Sequence, residues 1–153
     1  QGIMLHSSAV YHQQAGIIFI GRSGAGKSTI CAMFEQELVL NDELNIVESS
    51  GTNQHTIYST PFSGTYAARG PRKSAPLKLG CALKQSPDIY SEKLSTSEAV
   101  PALLRCVALP LGSPQLERAA FTRTSEITTS STWHALYFNK QSEKTVEHIE
   151  TLL

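Results

Sequence analysis

The chain has 153 residues, 41% of them hydrophobic, and its thirteen basic and thirteen acidic residues cancel. This size suits one domain that buries roughly 70% of its unfolded surface, so we predict a single domain over residues 1–153. The balanced charge argues against nucleic acid and anionic membranes as partners, and the longest apolar runs are too short to span a bilayer. The first residue is Gln1 rather than Met, so we expect a trimmed product or a fragment of a longer chain.

Short apolar runs alternate with helical patterns, which predicts one α/β domain with a mixed sheet. The segment from Ile3 to Tyr11 is predicted as a first strand, with a turn over residues 13–16. The run "GIIFI", residues 16–20, is continuously apolar and is followed by Gly21, as expected of a fully buried strand. Further strands are predicted for "ELVLND" (37–42), "LNIVES" (44–49), "HTIYST" (55–60), "LKLGCALKQ" (77–85) and "WHALYF" (133–138).

Helical spacing of apolar residues predicts helices over residues 27–37, 95–108, 115–128 and 142–153. Ser95 or Ser97 would cap the second of these, and Pro101 is compatible with it only in or near the first turn. The third helix is expected to decay into a polar connector of Thr and Ser residues. A loop is predicted for residues 61–76, because this stretch is rich in Gly, Pro and Ser.

The three cysteines, Cys31, Cys81 and Cys106, are odd in number and widely spaced. They show neither metal-ligand spacing nor the pattern of a disulfide framework. Such usage is typical of reduced, buried thiols in a protein of the cytoplasm, which is the location we expect.

The stretch "GRSGAGKS", residues 21–28, fits the GxxxxGK[ST] spacing of a phosphate-binding loop, or P-loop. Its glycines allow the backbone to curl so that successive N–H groups converge on phosphate oxygens. Lys27 would reach the β- and γ-phosphates of a nucleotide, and Ser28 would offer its hydroxyl to Mg²⁺. A buried strand before the motif and an amphipathic helix after it support this interpretation. The predicted nucleotide-binding positions are Gly21, Ser23, Gly24, Ala25, Gly26, Lys27, Ser28 and Thr29. No side-chain chemistry is assigned to Ser23 and Ala25.

An acid pair, Asp42 and Glu43, follows the strand predicted for "ELVLND", only fifteen residues after Lys27. A P-loop needs a carboxylate to complete its metal site, and the helix between is just long enough to return the chain beside the loop. We therefore predict that this strand lies next to "GIIFI" and stops at or just before Asp42, with a turn at Asn41. Both carboxylates would then converge beyond the P-loop, and at least one would have a metal or catalytic role.

His6 precedes Gly21 by fifteen residues and lies at the start of a predicted strand hairpin. The turn of that hairpin would bring His6 near the end of "GIIFI", where the P-loop begins. From the hairpin alone, a structural and a functional role for this histidine both stay open.

The segment "LHSSAVYHQQAGIIFIGRSGAGKSTICAMFEQELVLNDELNIV", residues 5–47, resembles the kinase domain of HPr kinase/phosphorylase and its related proteins, which share the P-loop architecture of phosphoenolpyruvate carboxykinase. That family has a His-containing stretch, a strand that enters GxSGxGKS, and an acid pair soon after the helix. Looser matches continue to the end of the chain. The resemblance therefore covers essentially the whole sequence and implies an α/β, mixed-sheet P-loop domain of this kind.

The resemblance implies phosphorylation of a serine or threonine hydroxyl, with ATP and Mg²⁺ as cofactors and a serine-bearing protein or peptide as partner. Lys27 and Ser28 match the family's phosphate and metal positions, and His6 matches its active-site histidine. Asp42 and Glu43 match its acid pair, the first for the metal and the second as the base. This chain departs from the family at three points. Ser7 follows His6 where the family has Gly, and Glu43 stands where the family has Asp. The family's glycine-rich signature loop is not recognisable in this sequence. We therefore expect a related kinase rather than the bifunctional enzyme.

Two basic residues, Arg69 and Arg72, lie in the predicted Gly/Pro-rich loop. A mobile loop can close on a bound nucleotide, and an arginine placed on the transferred phosphoryl group can raise the rate by about 10³ or more. The alternative is an exposed, solvated loop without a catalytic role.

Two classes of function remain open. The first is an ATP-dependent kinase acting on a protein or peptide hydroxyl. The second is a non-catalytic nucleotide-binding module that works as a sensor or assembly partner, and a small-molecule kinase acting on free serine would share the same site. Intact Lys27, Ser28 and acid pair favour a kinase. The acceptor and the oligomeric state, including a homo-oligomer, stay open.

Overall fold

The structure is a computed structural model that describes residues 2–64, 70–108 and 113–153. The described residues form nine strands and four helices. In chain order these are β1 (Gly2–His6), β2 (Ser8–His12), β3 (Ala15–Ile20), α1 (Lys27–Cys31), β4 (Val39–Asn41), β5 (Leu44–Gly51), β6 (Gln54–Ser59), β7 (Ser74–Gln85), β8 (Tyr90–Lys93), α2 (Thr96–Leu104), α3 (Pro114–Ser130), β9 (Thr132–Phe138) and α4 (Ser142–Glu150). None of the helices in the described ranges combines the length and the apolar content needed to cross a membrane.

The strands of the described ranges form one mixed sheet, which confirms the predicted α/β class. Its main path runs β1-β5-β6-β7-β3-β2-β4, with β9 paired to β7 and β8 paired to β9. The β3–β7 and β7–β9 pairs are parallel, and the other pairs are antiparallel. Because β3, β7 and β9 run in the same direction, the residues that follow them meet at one edge of the sheet.

Helices cover both faces of the sheet, so β3 is buried on both sides. Ile18 and Ile20 belong to a core cluster that includes residues of α2 and α3. Ile17 and Phe19 belong to a second cluster that includes residues of α1 and α4. This double burial explains why "GIIFI" is apolar at every position rather than at alternate ones.

The predicted first strand is two strands that change partner at Ser7. The Ser7 N–H donates to the carbonyl of Glu43 at 3.0 Å, and Asn45 Nδ2 donates to the Ser7 carbonyl at 2.8 Å. Before this residue β1 pairs with β5, and after it β2 pairs with β3. The hairpin turn is also shorter than predicted, since only Gln13 and Gln14, with φ of 47° and 63°, connect β2 to β3.

The helix after the P-loop is shorter than predicted, and the strand after it has a different neighbour. α1 ends at Cys31, where the N–H groups of Met33 and Phe34 bond to carbonyls only three residues back, and a 3-10 turn follows at Gln36–Leu38. β4 was predicted beside β3, but it pairs with β2, which lies between them. That part of the prediction is wrong, because strand neighbours depend on pairing that spacing along the chain does not determine.

The second half of the chain departs from the prediction at its polar segments. Ser95 caps α2 in a capping box with Glu98, but Pro101 lies in the second turn rather than the first. The polar end of α3 stays helical to Ser130, with Ile127 packed in the core. The buried hydroxyls of Thr124 and Thr128 are satisfied within the helix, since each donates to the carbonyl four residues earlier. β8 was not predicted, since its four residues carry no apolar alternation.

Candidate active site

The predicted P-loop is the connection between β3 and α1. β3 ends at Ile20, and α1 begins at Lys27. Gly24 and Gly26 both have a left-handed backbone, with φ of 78° and 102°. At Gly26 a Cβ atom would also stand 2.7 Å from the ring of Phe138 at the end of β9. A side chain therefore does not fit at Gly26, and the loop curls close over the carboxyl edge of the sheet.

Lys27 is buried and folds back over its own loop. Its Nζ donates to the carbonyl of Gly21 at 3.0 Å and to that of Arg22 at 3.4 Å. An ammonium group carries three donors and no acceptor. Held in this place, it can exchange carbonyl partners for the oxygens of an anion bound in the loop. Ser28 and Thr29 follow it and line the same cleft.

The acid pair lies at a turn that begins where β4 ends, as predicted. Asn41 is the last residue of β4, and its Oδ1 accepts the N–H of Glu43 at 2.9 Å. Asp42 is fully buried, and its Oδ1 accepts the N–H of Gly64 at 2.9 Å. Glu43 keeps 42% of its side chain exposed and lines the cleft of the P-loop, which Asp42 does not. The prediction that both side chains point into this cleft is therefore met by Glu43 alone.

The two carboxylates nevertheless approach each other at Gly64. A Cβ atom on Gly64 would stand 3.0 Å from both Asp42 Oδ2 and Glu43 Oε2, so these oxygens are no more than twice that distance apart. Asp42 Oδ2 is buried and has no hydrogen-bond partner among the described residues. An unpartnered anionic oxygen beside a second carboxylate fits a divalent cation.

Such a cation would need ligands beyond these acids. In the described part of the chain, no group of three or more His, Cys, Asp or Glu side chains is arranged to hold a metal. Mg²⁺ is commonly bound through one or two carboxylates plus substrate phosphates and waters. The unpartnered Asp42 Oδ2 therefore remains suited to Mg²⁺ that arrives together with a nucleotide, and Ser28 stays a predicted ligand.

His6 reaches the same cleft through strand pairing. It is the last residue of β1 and pairs with Leu44, the first residue of β5, which directly follows Glu43. Its Nε2 lies 3.4 Å from Glu43 Oε1, and 43% of its side chain is exposed. The structure thus brings His6, Glu43, Lys27 and Ser28 to one cleft of about 330 Å³. We call it the central cleft.

Two further clefts flank the central one and share residues with it. A cleft of about 1000 Å³ also contains His6, and a cleft of about 420 Å³ also contains Gly26 and Thr29. Gln85 lines all three clefts, and its Nε2 donates to the carbonyl of Gly24 at 2.8 Å. Sequence reasoning missed Gln85. Its signal is its place at the end of β7, which is parallel to β3, and that pairing is visible only in the fold.

Two of the cysteines lie close to the site but are held as neutral thiols. Burial raises the pKa of Cys31 to about 12, and the charge of Asp42 adds to this shift. Burial also raises the pKa of Cys106, although the backbone of Gly21 and the charge of Lys27 act in the opposite direction. All three cysteines are free and buried, as predicted, and these two are poor nucleophiles in this state.

The structure does not bring Arg72 to the site. Its guanidinium lies 3.7 Å from the centre of the Tyr11 ring, in a cation–π contact. Tyr11 pairs with Gly16, near the start of β3, whereas the P-loop follows the other end of that strand. Gly16 and Ile20, the last residue of β3, are about 13 Å apart at the usual rise of a strand. The other predicted arginine, Arg69, lies outside the described residues.

No protein-family model matches the chain, and no curated protein matches it in sequence. A comparison with solved structures does find a likeness. The chain shares its fold with the HPr(Ser) kinase/phosphatase from Coxiella burnetii. The match covers 97% of each chain with a TM-score of 0.51 and 9% sequence identity. At this identity the likeness concerns the fold alone, so what the site can do has to be argued from its own residues.

Proposed function

We propose that this protein is a kinase that transfers the γ-phosphate of Mg-ATP to a serine or threonine hydroxyl of a protein or peptide in the cytoplasm. The observation that carries the proposal is the central cleft, which joins Lys27 and Ser28 to the His6–Glu43 pair. A phosphate grip alone serves any nucleotide-binding module. A half-exposed carboxylate beside an imidazole in the same cleft suits the removal of a proton from an acceptor hydroxyl. The shared fold with a kinase/phosphatase supports the same general class.

In this proposal five residues in or beside the central cleft have separate roles. Lys27 exchanges its carbonyl contacts for oxygens of the β- and γ-phosphates. Glu43 accepts the proton of the acceptor hydroxyl, and His6, 3.4 Å away, orients the carboxylate. Asp42 and Ser28 would hold Mg²⁺. When bound, this ion supplies positive charge that neutralises the phosphate oxygens during transfer.

The nucleotide part of the proposal is tested by calorimetry with Mg-ATP. Lys27→Ala should weaken binding at least about tenfold, because hydrogen bonds to a charged group contribute about 1.5–3 kcal/mol. Lys78→Ala is the matched control, since Lys78 is an exposed residue of β7 that lines none of the three clefts. Equal affinity in the wild type and in Lys27→Ala would overturn the nucleotide site.

The transfer part is tested by incubating labelled ATP with the protein and a panel of serine peptides, and in parallel with free serine. Label on a peptide supports the proposal, and label on serine would replace it with a small-molecule kinase. Tight Mg-ATP binding without transfer and without release of ADP would instead identify a non-catalytic nucleotide-binding module.

A further inference from the structure

The cleft of about 1000 Å³, which we call the large cleft, is rimmed by positive charge. Its wall carries Arg22 from the P-loop, Lys84 from β7 and Arg105 from the residue after α2. None of the described residues that line it is acidic, although the chain as a whole has no net charge. This local excess of cations indicates an anionic ligand.

The cations differ in how far they are already engaged. Lys84 donates to the hydroxyl of Tyr137 at 2.8 Å, and that hydroxyl in turn donates to Glu92 at 3.0 Å. Arg22 and Arg105 are exposed, and their side chains make no hydrogen bond or ion pair within the described ranges. The two guanidinium groups are therefore available to a ligand.

The residues shared between clefts indicate which ligand enters where. His6 lines the large and the central cleft, but not the third one. If the His6–Glu43 pair removes the acceptor's proton, an acceptor held in the large cleft reaches this pair at His6, which both clefts share. The third cleft contains Phe138 and Pro87 and meets the P-loop at Gly26, next to α1, whereas the large cleft is lined by the earlier part of the loop. Its apolar residues suit the nucleoside part of ATP.

We propose that the acceptor is a peptide segment with an acidic residue beside its serine or threonine, and that Arg105, assisted by Arg22, binds this acidic side chain. The inference rests on the proposed kinase function and adds the chemical class of its acceptor. A guanidinium binds a carboxylate through two parallel hydrogen bonds, which gives direction as well as attraction. The volume of the large cleft lies at the upper end of the range for ligand pockets, so it accommodates several residues of a peptide.

The test compares two labelled peptides that differ only in charge. Both carry one central serine, which is flanked by Glu in one peptide and by the neutral isostere Gln in the other. Binding is measured by fluorescence anisotropy with Mg-ADP present, and kcat/KM for phosphorylation is measured with Mg-ATP. The proteins are the wild type, Arg105→Gln, Arg105→Lys and the control Arg118→Gln, in which an exposed arginine of α3 that lines none of the three clefts is changed.

The wild type and Arg118→Gln should prefer the Glu peptide by about tenfold, since one charge-assisted pair is at stake. Arg105→Gln should reduce the preference to less than about twofold, and Arg105→Lys should retain part of it. The Kd of Mg-ADP should be the same in all four proteins. A preference that falls at high salt would support the ion pair.

Each failure has its own meaning. Equal binding of the two peptides by a wild type that binds Mg-ADP, or no binding of either peptide, overturns the acidic acceptor and leaves the nucleotide site intact. An unchanged preference in Arg105→Gln overturns the assignment of Arg105. A wild type that does not bind Mg-ADP overturns the proposed kinase, and this inference with it.

Discussion

Replacing Glu43 with Gln should separate phosphoryl transfer from nucleotide binding. The Glu43 side chain lines the central cleft and lies 3.4 Å from His6. Glutamine keeps its shape and its capacity to hydrogen-bond, but it cannot accept a proton at neutral pH. The variant should therefore bind Mg-ATP with nearly the wild-type Kd and lose most of its rate of transfer.

The expected size of the loss follows from the role of a general base, which is typically worth about 10²–10⁴ in rate. The rate constant of transfer should fall by at least about 100-fold, which corresponds to about 2.7 kcal/mol of activation free energy. Folding should be almost unaffected. The His6–Glu43 pair is nearly half exposed, and exposed pairs contribute no more than about 1 kcal/mol to the free energy of unfolding.

The assay is single-turnover transfer to a serine peptide at saturating Mg-ATP, with ADP release in the absence of acceptor as a second readout. Calorimetry and a thermal melt accompany each variant. His6→Ala should resemble Glu43→Gln with a smaller loss, because His6 acts through Glu43. The control is Glu117→Gln, which changes an exposed residue of α3. If Glu43→Gln binds and turns over like the wild type, the reasoning is refuted and the sensor or assembly module should replace the kinase.

The remaining predictions concern the metal and the loop. Asp42→Asn should raise the Mg²⁺ concentration for half-maximal nucleotide binding by about tenfold, since the buried oxygen loses its charge. The amide oxygen can still accept the N–H of Gly64, so the turn should be kept. An unchanged Mg²⁺ titration would contradict the metal role. Gly26→Ala and Gly24→Ala should each lower the free energy of unfolding by about 1–2 kcal/mol through their left-handed backbone. Gly26→Ala should lose about 1–3 kcal/mol more, because its Cβ would stand 2.7 Å from Phe138, whereas nothing lies within 4 Å at Gly24. Equal losses in urea unfolding would count against this steric argument.

Features that depend on neighbours in the chain could be predicted from the sequence. The strand β3, the loop after it and the start of α1 form one contiguous motif, and each part constrains the next. Ser95 and Glu98 are three residues apart, so the capping box of α2 is also a local signal. The turn at Asn41 is local as well, because its side chain bonds to the backbone two residues on.

Features that depend on distant segments could not be predicted in this way. Ser7 divides one predicted strand between two partners, and one of them, β5, begins only at Leu44, far along the chain. Arg72 lies away from the site, where its guanidinium contacts the ring of Tyr11. Gln85 enters the site because β7 pairs with β3 across a separation of some sixty residues. In each case the contact joins segments that are far apart in the chain, so the local sequence does not reveal it.

The acid pair lies at the predicted edge of the sheet, although the predicted neighbour of its strand is wrong. β4 was predicted to lie beside β3, but β2 separates them. Since β2 is antiparallel to both, β3 and β4 run in the same direction, and their carboxyl ends lie at the same edge. The P-loop follows one of these ends, and Asp42 and Glu43 follow the other.

The strand β2 also separates the two strand ends from which the site is built. Strands two places apart are separated by about 9–10 Å, against about 4.8 Å for adjacent strands. In the proposed reaction the phosphoryl group contacts Lys27, and the acceptor hydroxyl contacts its base, Glu43. Each of these hydrogen bonds spans about 2.7–3 Å. Under the proposed function, the phosphoryl group and the acceptor hydroxyl would occupy the part of the central cleft between Lys27 and Glu43.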